Sequence, residues 1–172
     1  IKAVRSLAPH SITFPMNDKG KPILKLDQLA PINGFAHENA HDAIADVEAT
    51  IFITKLIHDR QPDLFYNLLD LGEKRNIKTI IENNEICVLI QYYNGSVKTR
   101  FVSRLTTNPT NPSEVLLFDL SFEPSKFEEQ SVDEIVKTFK RAKRPYQRIK
   151  INRQPFIFAL DGLPKDFALP DY

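Results

Sequence analysis

The spacing of apolar residues changes near residue 77, and this change predicts two kinds of secondary structure in one chain. Before residue 77, apolar positions recur at intervals of three and four, which is the pattern of an amphipathic helix. The predicted helices cover residues 24–29, residues 39–58 and a segment that begins at 63 and ends near Gly72 or Asn76. Pro31 and the Asn33-Gly34 pair are typical helix-ending residues and close the first of them. The stretch before this helix is interrupted by prolines and is predicted to be irregular.

From residue 77 onwards, short runs rich in β-branched and aromatic residues predict strands. The predicted strands are "IKTIIE", "EICVLIQYY", "VKTRFVSRLT", "EVLLFDLSF", "YQRIKIN" and "PFIFAL". One helix at 131–142 interrupts the series, with Ser131 as its N-cap and two acidic residues in its first turn. The pattern therefore predicts an α+β fold, in which a helical first third is followed by an antiparallel β unit that contains one helix.

The composition excludes several classes of protein. The 172 residues carry a net charge of +1, with 42% hydrophobic and 26% charged residues, which is close to the globular average. The single cysteine, Cys87, cannot form an internal disulfide and fits a reducing compartment. No apolar run reaches the roughly 20 residues of a membrane span. Zinc-ligand spacing and glycine-rich phosphate loops do not occur either, so we expect no membrane, zinc or nucleotide cofactor.

His41 and Asp46 lie five positions apart in the predicted 39–58 helix. Five residues turn a regular helix by about 140°, so two such side chains diverge in mid-helix. At the entrance of the helix, however, His41 can turn towards the site that Asp46 faces. A carboxylate can bind a hard divalent cation, and an imidazole can take a proton from water. On spacing alone, a surface histidine and a solvated aspartate remain the competing interpretation.

The stretch "LKLDQLAPINGFAHENAHDAIADVEATIFITKLI" resembles the third exonuclease motif of the DEDDh 3′→5′ exonucleases, "HxALxDxxAT". The matching residues are His41, Ala43, Asp46, Ala49 and Thr50. Within these enzymes the stretch is most similar to the bacterial exodeoxyribonuclease I family, and "NPSEVLLFDL" and "RIKINRQPFIFAL" resemble segments of its SH3-like domain. The resemblance implies that residues 1–60 are the C-terminal part of a ribonuclease H-like exonuclease domain and residues 61–172 an SH3-like domain.

The resemblance also implies roles for the two residues. His41 is the general base that acts on the attacking water, and Asp46 is one of four carboxylates that bind two Mg²⁺ ions at the scissile phosphate. The implied reaction is the hydrolysis of single-stranded DNA from its 3′ end to mononucleotides, in DNA repair and recombination. The implied enzyme is a monomer in the bacterial cytoplasm.

The family's D-x-E strand motif and its further aspartate do not occur upstream of this helix. Asp46 and Glu48 also spell D-x-E, but on a helix they lie about 200° apart, whereas on a strand such residues share a face. Asp119, Ser121 and Glu123 share one face of a predicted strand, yet the resemblance places them in the SH3-like domain, where a structural or solvated role is favoured. We therefore expect the chain to be a piece of a longer protein, with no nuclease activity and no bound Mg²⁺ by itself.

Basic residues are concentrated in the β region, and residues 135–160 contain no acidic residue. The candidate nucleic-acid-binding residues are Lys98, Arg100, Arg104, Arg141, Lys143, Arg144, Arg148 and Lys150. Aromatic residues lie among them, and this combination suits single strands, whose phosphates need neutralising and whose bases can stack. The structural alternative is that the basic residues balance a helix dipole and the aromatics form the core.

Two functions follow from this reading. The first is part of a Mg²⁺-dependent exonuclease acting on single-stranded DNA. The second is a non-catalytic module that binds single-stranded DNA or a protein partner, and the resemblance implies the C-terminal tail of single-stranded DNA-binding protein as that partner. An unrelated α+β domain with a chance motif match is the third possibility.

Overall fold

A computed structural model of the chain describes residues 1–35, 43–93, 96–140, 143–165 and 167. It divides into two compact units. The helical unit takes its described residues from 1–66, 92–97 and 164–168, and the sheet unit takes them from 67–91 and 98–163. In the part of the chain that the structure describes, no helix is both long and apolar enough to cross a membrane.

The helical unit is stabilised by apolar packing between its helices and by the hydrogen bonds of one asparagine side chain. Its helices are α1 (Lys2–Leu7), α2 (Leu26–Ile32), α3 (Ala43–Arg60) and the start of α4 (Pro62–Asp70). The α2 and α3 helices pack together and bury Leu29 and Ile53. Asn33 accepts a hydrogen bond from the Thr13 amide and donates one to the Thr13 carbonyl, each at 2.8 Å. This pair of bonds fixes the chain before α2 against the end of that helix.

Two predictions for this unit were wrong. Residues 1–22 were predicted to be irregular, but α1 forms there and buries Val4 and Leu7. Six residues before a proline are too few to show a helical period in the sequence. Pro31 was predicted to end α2, but it lies inside the helix, which continues to Ile32. The Asn33-Gly34 stop is confirmed, and Gly34 has the positive φ of 99° that favours glycine.

The helix predicted from residue 63 ends near Gly72, the earlier of its two predicted ends, whereas the predicted strand "IKTIIE" is wrong. After α4, a turn leads into α5 (Lys74–Asn83), which contains that segment. The turn requires Gly72, because a Cβ there would lie 2.9 Å from the Leu69 carbonyl oxygen. The segment is helical because Ile77 and Ile81, four residues apart, are both buried while Lys78 and Glu82 face solvent. The β-branched residues of this segment therefore led to the prediction of a strand, although its apolar residues have the spacing of a helix.

The sheet unit contains five strands in the order β4-β3-β2-β1-β5. The strands are β1 (Cys87–Tyr93), β2 (Ser96–Thr107), β3 (Glu114–Asp119), β4 (Tyr146–Lys150) and β5 (Phe156–Ala159). The β1/β5, β2/β3 and β3/β4 pairs are antiparallel. These strands coincide with the remaining five predicted ones, so the α+β class is confirmed.

The register determines which side chains share a face of the sheet, because directly paired residues point the same way. Leu117 pairs with Gln147 and with Arg104. These residues share the face against which α5 lies, since Lys78, Ile81 and Glu82 border one small cavity with Arg104 and Val115. We call this the α5 face. The residues between them in sequence, including Leu116, Arg148 and Lys150, lie on the opposite face, which we call the open face.

Part of the open face is covered by an aromatic cluster. Phe118 and Tyr146 pair across β3 and β4, with ring centroids 6.0 Å apart. Phe127, from a 3-10 turn, and Phe139, just after α6 (Val132–Thr138), pack on them. The predicted N-cap of α6 is confirmed: Ser131 and Glu134 form a reciprocal capping box, and hydrogen bonds from Ser131 hold the pKa of Glu134 below its usual range.

A buried ion pair joins β2 to the end of β3. Arg100 Nε lies 2.9 Å from Asp119 Oδ2, and Arg100 also donates to Gln91 Oε1 at 2.7 Å. The other carboxylate oxygen of Asp119 accepts from the Ser121 amide and hydroxyl. The side chain of Asp119 is only 6% exposed and that of Arg100 is 18% exposed. Each charge is thus satisfied by the other and by hydrogen bonds, which a buried charge requires.

We predict that Asp119→Asn lowers the free energy of unfolding by about 3 kcal/mol, because it leaves the buried Arg100 charge without its partner. Glu82→Gln is the control at an exposed ion pair of the same unit. Glu82 lies 3.7 Å from Lys78, and their side chains are 42% and 61% exposed, so its loss should cost less than about 1 kcal/mol. Urea unfolding of both variants measures the difference, and equal effects would contradict the structural role of the Arg100 pair.

Cys87 is the first residue of strand β1 and is 4% exposed. Its thiol donates a weak hydrogen bond to the Ile80 carbonyl at 3.7 Å. Burial raises the pKa of Cys87 to about 11, because the thiolate would lose its hydration. The folded protein therefore keeps the neutral thiol at pH values where the unfolded chain has already ionised, near 9 and above.

We predict that Cys87 makes the folded state lose stability as the pH rises from about 9 towards 11, because only the unfolded chain releases the proton in this range. Urea unfolding at pH 7 and at pH 10 tests this for the natural chain and for Cys87→Ala. The stability advantage of the natural chain over the variant should shrink at pH 10. An advantage that stays constant or grows would show that the thiol is not shielded from solvent.

Candidate active-site helix and nucleic-acid interface

Asp46 lies in the first turn of α3, with its side chain exposed. Two neighbours in the matched motif have clear local roles. Ala49 is fully buried, and the Thr50 hydroxyl donates to the Asp46 carbonyl at 2.8 Å. The small residue lets α3 pack closely, and the threonine bond holds the turn that carries Asp46. His41 and Arg141 lie outside the described residues.

The apolar residues of α3 form two opposite lines. Ala49, Ile53 and Ile57 are buried within the helical unit. Ile44, Val47 and Ile51 are instead 67%, 58% and 61% exposed. On a helix turning about 100° per residue, these three lie on the side opposite the buried line. The helix is therefore apolar on two faces, of which one is covered in the structure.

Asp46 is the candidate metal ligand of the sequence analysis, and it lies among the described residues. Among the described residues, no group of three or more histidine, cysteine, aspartate or glutamate side chains is arranged to hold a metal ion. A single exposed carboxylate fits one position of a Mg²⁺ ion, which usually takes one or two protein carboxylates and completes its shell with water and phosphate oxygens.

The basic candidates are divided between the two faces of the sheet. Alternation along β2 puts Lys98, Arg100 and Arg104 on the α5 face, with Lys98 and Arg104 exposed. Arg100 is held in the ion pair with Asp119. Arg148 and Lys150 are exposed on the open face, where they pair with Leu116 and Glu114 of β3, respectively. The seven candidates on described residues therefore do not form one continuous stripe.

Asp119, Ser121 and Glu123 do not share a strand face, contrary to the sequence prediction. The β3 strand ends at Asp119, and Ser121 lies in the turn that follows, where it donates to the Asp119 carboxylate. The structural role favoured for Asp119 is confirmed by its bond to Arg100.

The loop before β4 brings two further basic residues next to the aromatic cluster. Lys143 Nζ lies 5.9 Å from the centre of the Phe122 ring, and that ring packs on Phe127. Arg144 donates to the Phe139 carbonyl at 2.6 Å and is half-buried. Lys143 is exposed and remains available to a ligand, whereas the Arg144 guanidinium is partly used to hold the end of α6.

Lys143, in the loop before β4, and Arg148 and Lys150, on the open face of β4, are exposed cations of the same segment, and we call them the β4 patch. One acid accompanies it: Glu114 pairs directly with Lys150 and lies 3.8 Å from Arg148. Sequence reasoning missed Glu114, because only the β3/β4 register shows that it faces this patch. Exposed cations beside an aromatic cluster can neutralise phosphates and offer apolar surface to bases.

The geometry defines an α+β protein with a helix-borne carboxylate and a separate cationic sheet, and comparisons with known proteins identify its family. The Exonuclease I SH3-like domain family matches residues 73–168. Exodeoxyribonuclease I of Escherichia coli is 32% identical over 181 aligned residues, covering 96% of this chain and 38% of that protein. The chain belongs to the exonuclease I family.

Solved structures agree with this assignment. Crystalline E. coli exonuclease I in complex with a dA16 oligonucleotide matches with a TM-score of 0.75 and 30% identity. An ExoI/SSB-Ct complex matches with a TM-score of 0.75 and 29% identity. Each match covers 96% of this chain and 38% of the solved one. The chain therefore spans well under half the length of the relatives it resembles, and the SH3-like fold predicted from the sequence is confirmed.

Proposed function

We propose that this chain is part of a metal-dependent 3′→5′ exonuclease that hydrolyses single-stranded DNA to mononucleotides in DNA repair and recombination. The observation that carries the proposal is the match of 96% of the chain to exonuclease I in complex with a dA16 oligonucleotide. Residues 1–60 would be the end of the exonuclease domain and residues 61–172 the SH3-like domain. The exposed apolar line of α3 supports this division, since a helix with two apolar faces is typical of the interior of a larger domain.

In this proposal, His41 is the general base and Asp46 a ligand to one of two Mg²⁺ ions. A metal pair supplies activation of the attacking water and neutralisation of charge on the leaving oxygen. The chain's own contribution is to hold Asp46 at the exposed start of α3, where Thr50 fixes the turn. His41 would take the proton of the attacking water. Four carboxylates are implied for the metal pair, and residues 1–40 contain no D-x-E motif that could supply the others.

The β4 patch would bind the phosphates of the strand. Lys143 and Lys150 are exposed, and the Arg148 side chain is 68% exposed, so all three can release counterions when they meet phosphate. A patch that contacts phosphates without reading bases suits an enzyme that must move along any sequence.

A second function, binding without catalysis, is favoured by one observation: the β4 patch lies in the sheet unit, and no candidate catalytic residue is among the described residues of that unit. The C-terminal tail of single-stranded DNA-binding protein is the proposed protein partner, supported by the ExoI/SSB-Ct complex. An acidic tail and a DNA strand would both be attracted by these cations, so they should compete if they share the patch.

We predict that single-stranded DNA binding weakens as salt rises and that Arg148→Gln with Lys150→Gln reduces the slope of log K against log salt by about 1.4, at about 0.7 for each lost phosphate contact. Fluorescence anisotropy of a labelled dA16 oligonucleotide between low and moderate salt measures this slope. Arg75→Gln is the matched control, because Arg75 is 86% exposed on α5 and lies outside the patch. An unchanged slope in the double variant would remove the β4 patch from the interface.

We predict that the 172-residue chain releases no mononucleotides from 3′-labelled single-stranded DNA with Mg²⁺, because Asp46 alone cannot hold the metal pair. Gel analysis of the labelled strand measures release, and Asp46→Asn is the matched inactive variant. Release by the natural chain that disappears in the variant would show that this chain supplies the other carboxylates itself.

A further inference from the structure

The β4 strand lies at one end of the sheet, where the described strands leave it paired on one side only, with β3. In an antiparallel pair, residues that exchange hydrogen bonds with the partner strand alternate with residues that do not. Two bonds fix this alternation: the Ile151 amide donates to the Ser113 carbonyl at 2.8 Å, and the Asp119 amide donates to the Pro145 carbonyl at 2.6 Å. The odd-numbered residues of β4 therefore bond to β3.

The even-numbered residues of β4 direct their backbone N–H and C=O groups away from β3. Tyr146 is buried, whereas Arg148 and Lys150 are exposed. In the part of the chain that the structure describes, no hydrogen bond is observed to the backbone of Arg148 or of Lys150. Each of these residues carries one backbone donor and one backbone acceptor. The free edge of β4 thus presents donors and acceptors in alternation.

This alternation favours a peptide over a nucleic acid as the partner of the edge. An extended peptide has its own alternating N–H and C=O groups and can satisfy both kinds of group by adding a strand to the sheet. A phosphate backbone supplies acceptors only, so it would leave the carbonyls of Arg148 and Lys150 without a donor.

The side chains along the edge determine which peptide fits. Arg148 and Lys150 lie two positions apart on the open face. Arg148 is 3.8 Å from Glu114, but its side chain remains 68% exposed. Opposite charges that face each other across two strands stabilise the pairing, and like charges destabilise it. A second copy of β4 would place cations opposite cations, so the edge favours an acidic strand over its own copy.

We infer that the free edge of β4 binds an acidic segment of another protein as an additional antiparallel strand. Acidic residues at every second position of that segment would lie opposite Arg148 and Lys150, and their backbone groups would bond to those of the same two residues. The inference rests on the second function proposed above, since it requires a protein partner at these cations. It adds the conformation of the partner and the contacts that hold it.

The test measures amide hydrogen exchange of the chain by ¹H–¹⁵N NMR with the synthetic peptide acetyl-Thr-Glu-Val-Glu-Val-Glu-Thr-amide. With about nine-tenths of the chain bound, exchange at the Arg148 and Lys150 amides should slow about tenfold, because both amides are hydrogen-bonded in the complex. Exchange at the Ile149 amide should not change, since this amide already faces β3. Arg148→Gln with Lys150→Gln should bind the peptide about tenfold more weakly. Arg75→Gln, on exposed α5, should bind it as the natural chain does.

Methylation of peptide nitrogens separates strand pairing from attraction between charges alone. In the proposed pairing, the N–H groups of the peptide's glutamates face β4 and those of its valines face away. A peptide with N-methylated glutamates should no longer slow exchange, whereas one with N-methylated valines should act as the parent peptide does. Equal binding of the two methylated peptides, or no slowing at Arg148 and Lys150 at any peptide concentration, would overturn the inference.

Two other occupants would give different results, and either would overturn the inference. Slowing at both edge amides by the dA16 oligonucleotide would assign the edge to a nucleic acid. Slowing without peptide that increases with protein concentration would assign it to a second copy of the chain. The salt slope of dA16 binding tests the DNA proposal separately. An unchanged slope together with edge amides protected by the peptide would contradict the DNA contact alone, and a reduced slope without such protection would contradict this inference alone.

Discussion

The pairing of β2 with β3 and of β3 with β4 determines on which face of the sheet each charged residue of these strands lies. Because side chains alternate along a strand, a slip of one residue would exchange the α5 face and the open face. The Arg100–Asp119 ion pair opposes such a slip, since it is buried and satisfied only when Val102 lies opposite Asp119. The change of register between Arg104 and Thr106 then sets the remaining pairs of β2. The charge distribution of this unit thus follows from one set of cross-strand contacts.

That distribution gives the sheet unit exposed cations along β4 and the loop before it. Arg148 and Lys150 are exposed on the open face, and Lys143 lies next to an aromatic ring. The net charge of +1 for the whole chain conceals this concentration of positive charge. An anionic ligand is therefore expected at this place on the fold.

Much of this architecture could be predicted from the sequence, and the errors have physical causes. Local sequence patterns were sufficient where a feature depends only on neighbouring residues. This was the case for the five strands, for the N-cap of α6 and for the Asn33-Gly34 stop. The segment 77–82 was mistaken for a strand because its isoleucines suit both structures, and only burial of Ile77 and Ile81 decides between them. The roles of Asp119 and Glu114 could not be predicted, because they depend on the register of β3 with its two neighbouring strands.

The central claim is that the β4 patch is where this family member meets a single strand. Its most direct test is backbone ¹H–¹⁵N NMR of the chain during titration with the dA16 oligonucleotide. The account predicts the largest shift changes at Lys143, Arg148 and Lys150, with α5 residues such as Lys78 and Glu82 unchanged. Changes confined to α5, or none at any oligonucleotide concentration, would contradict it.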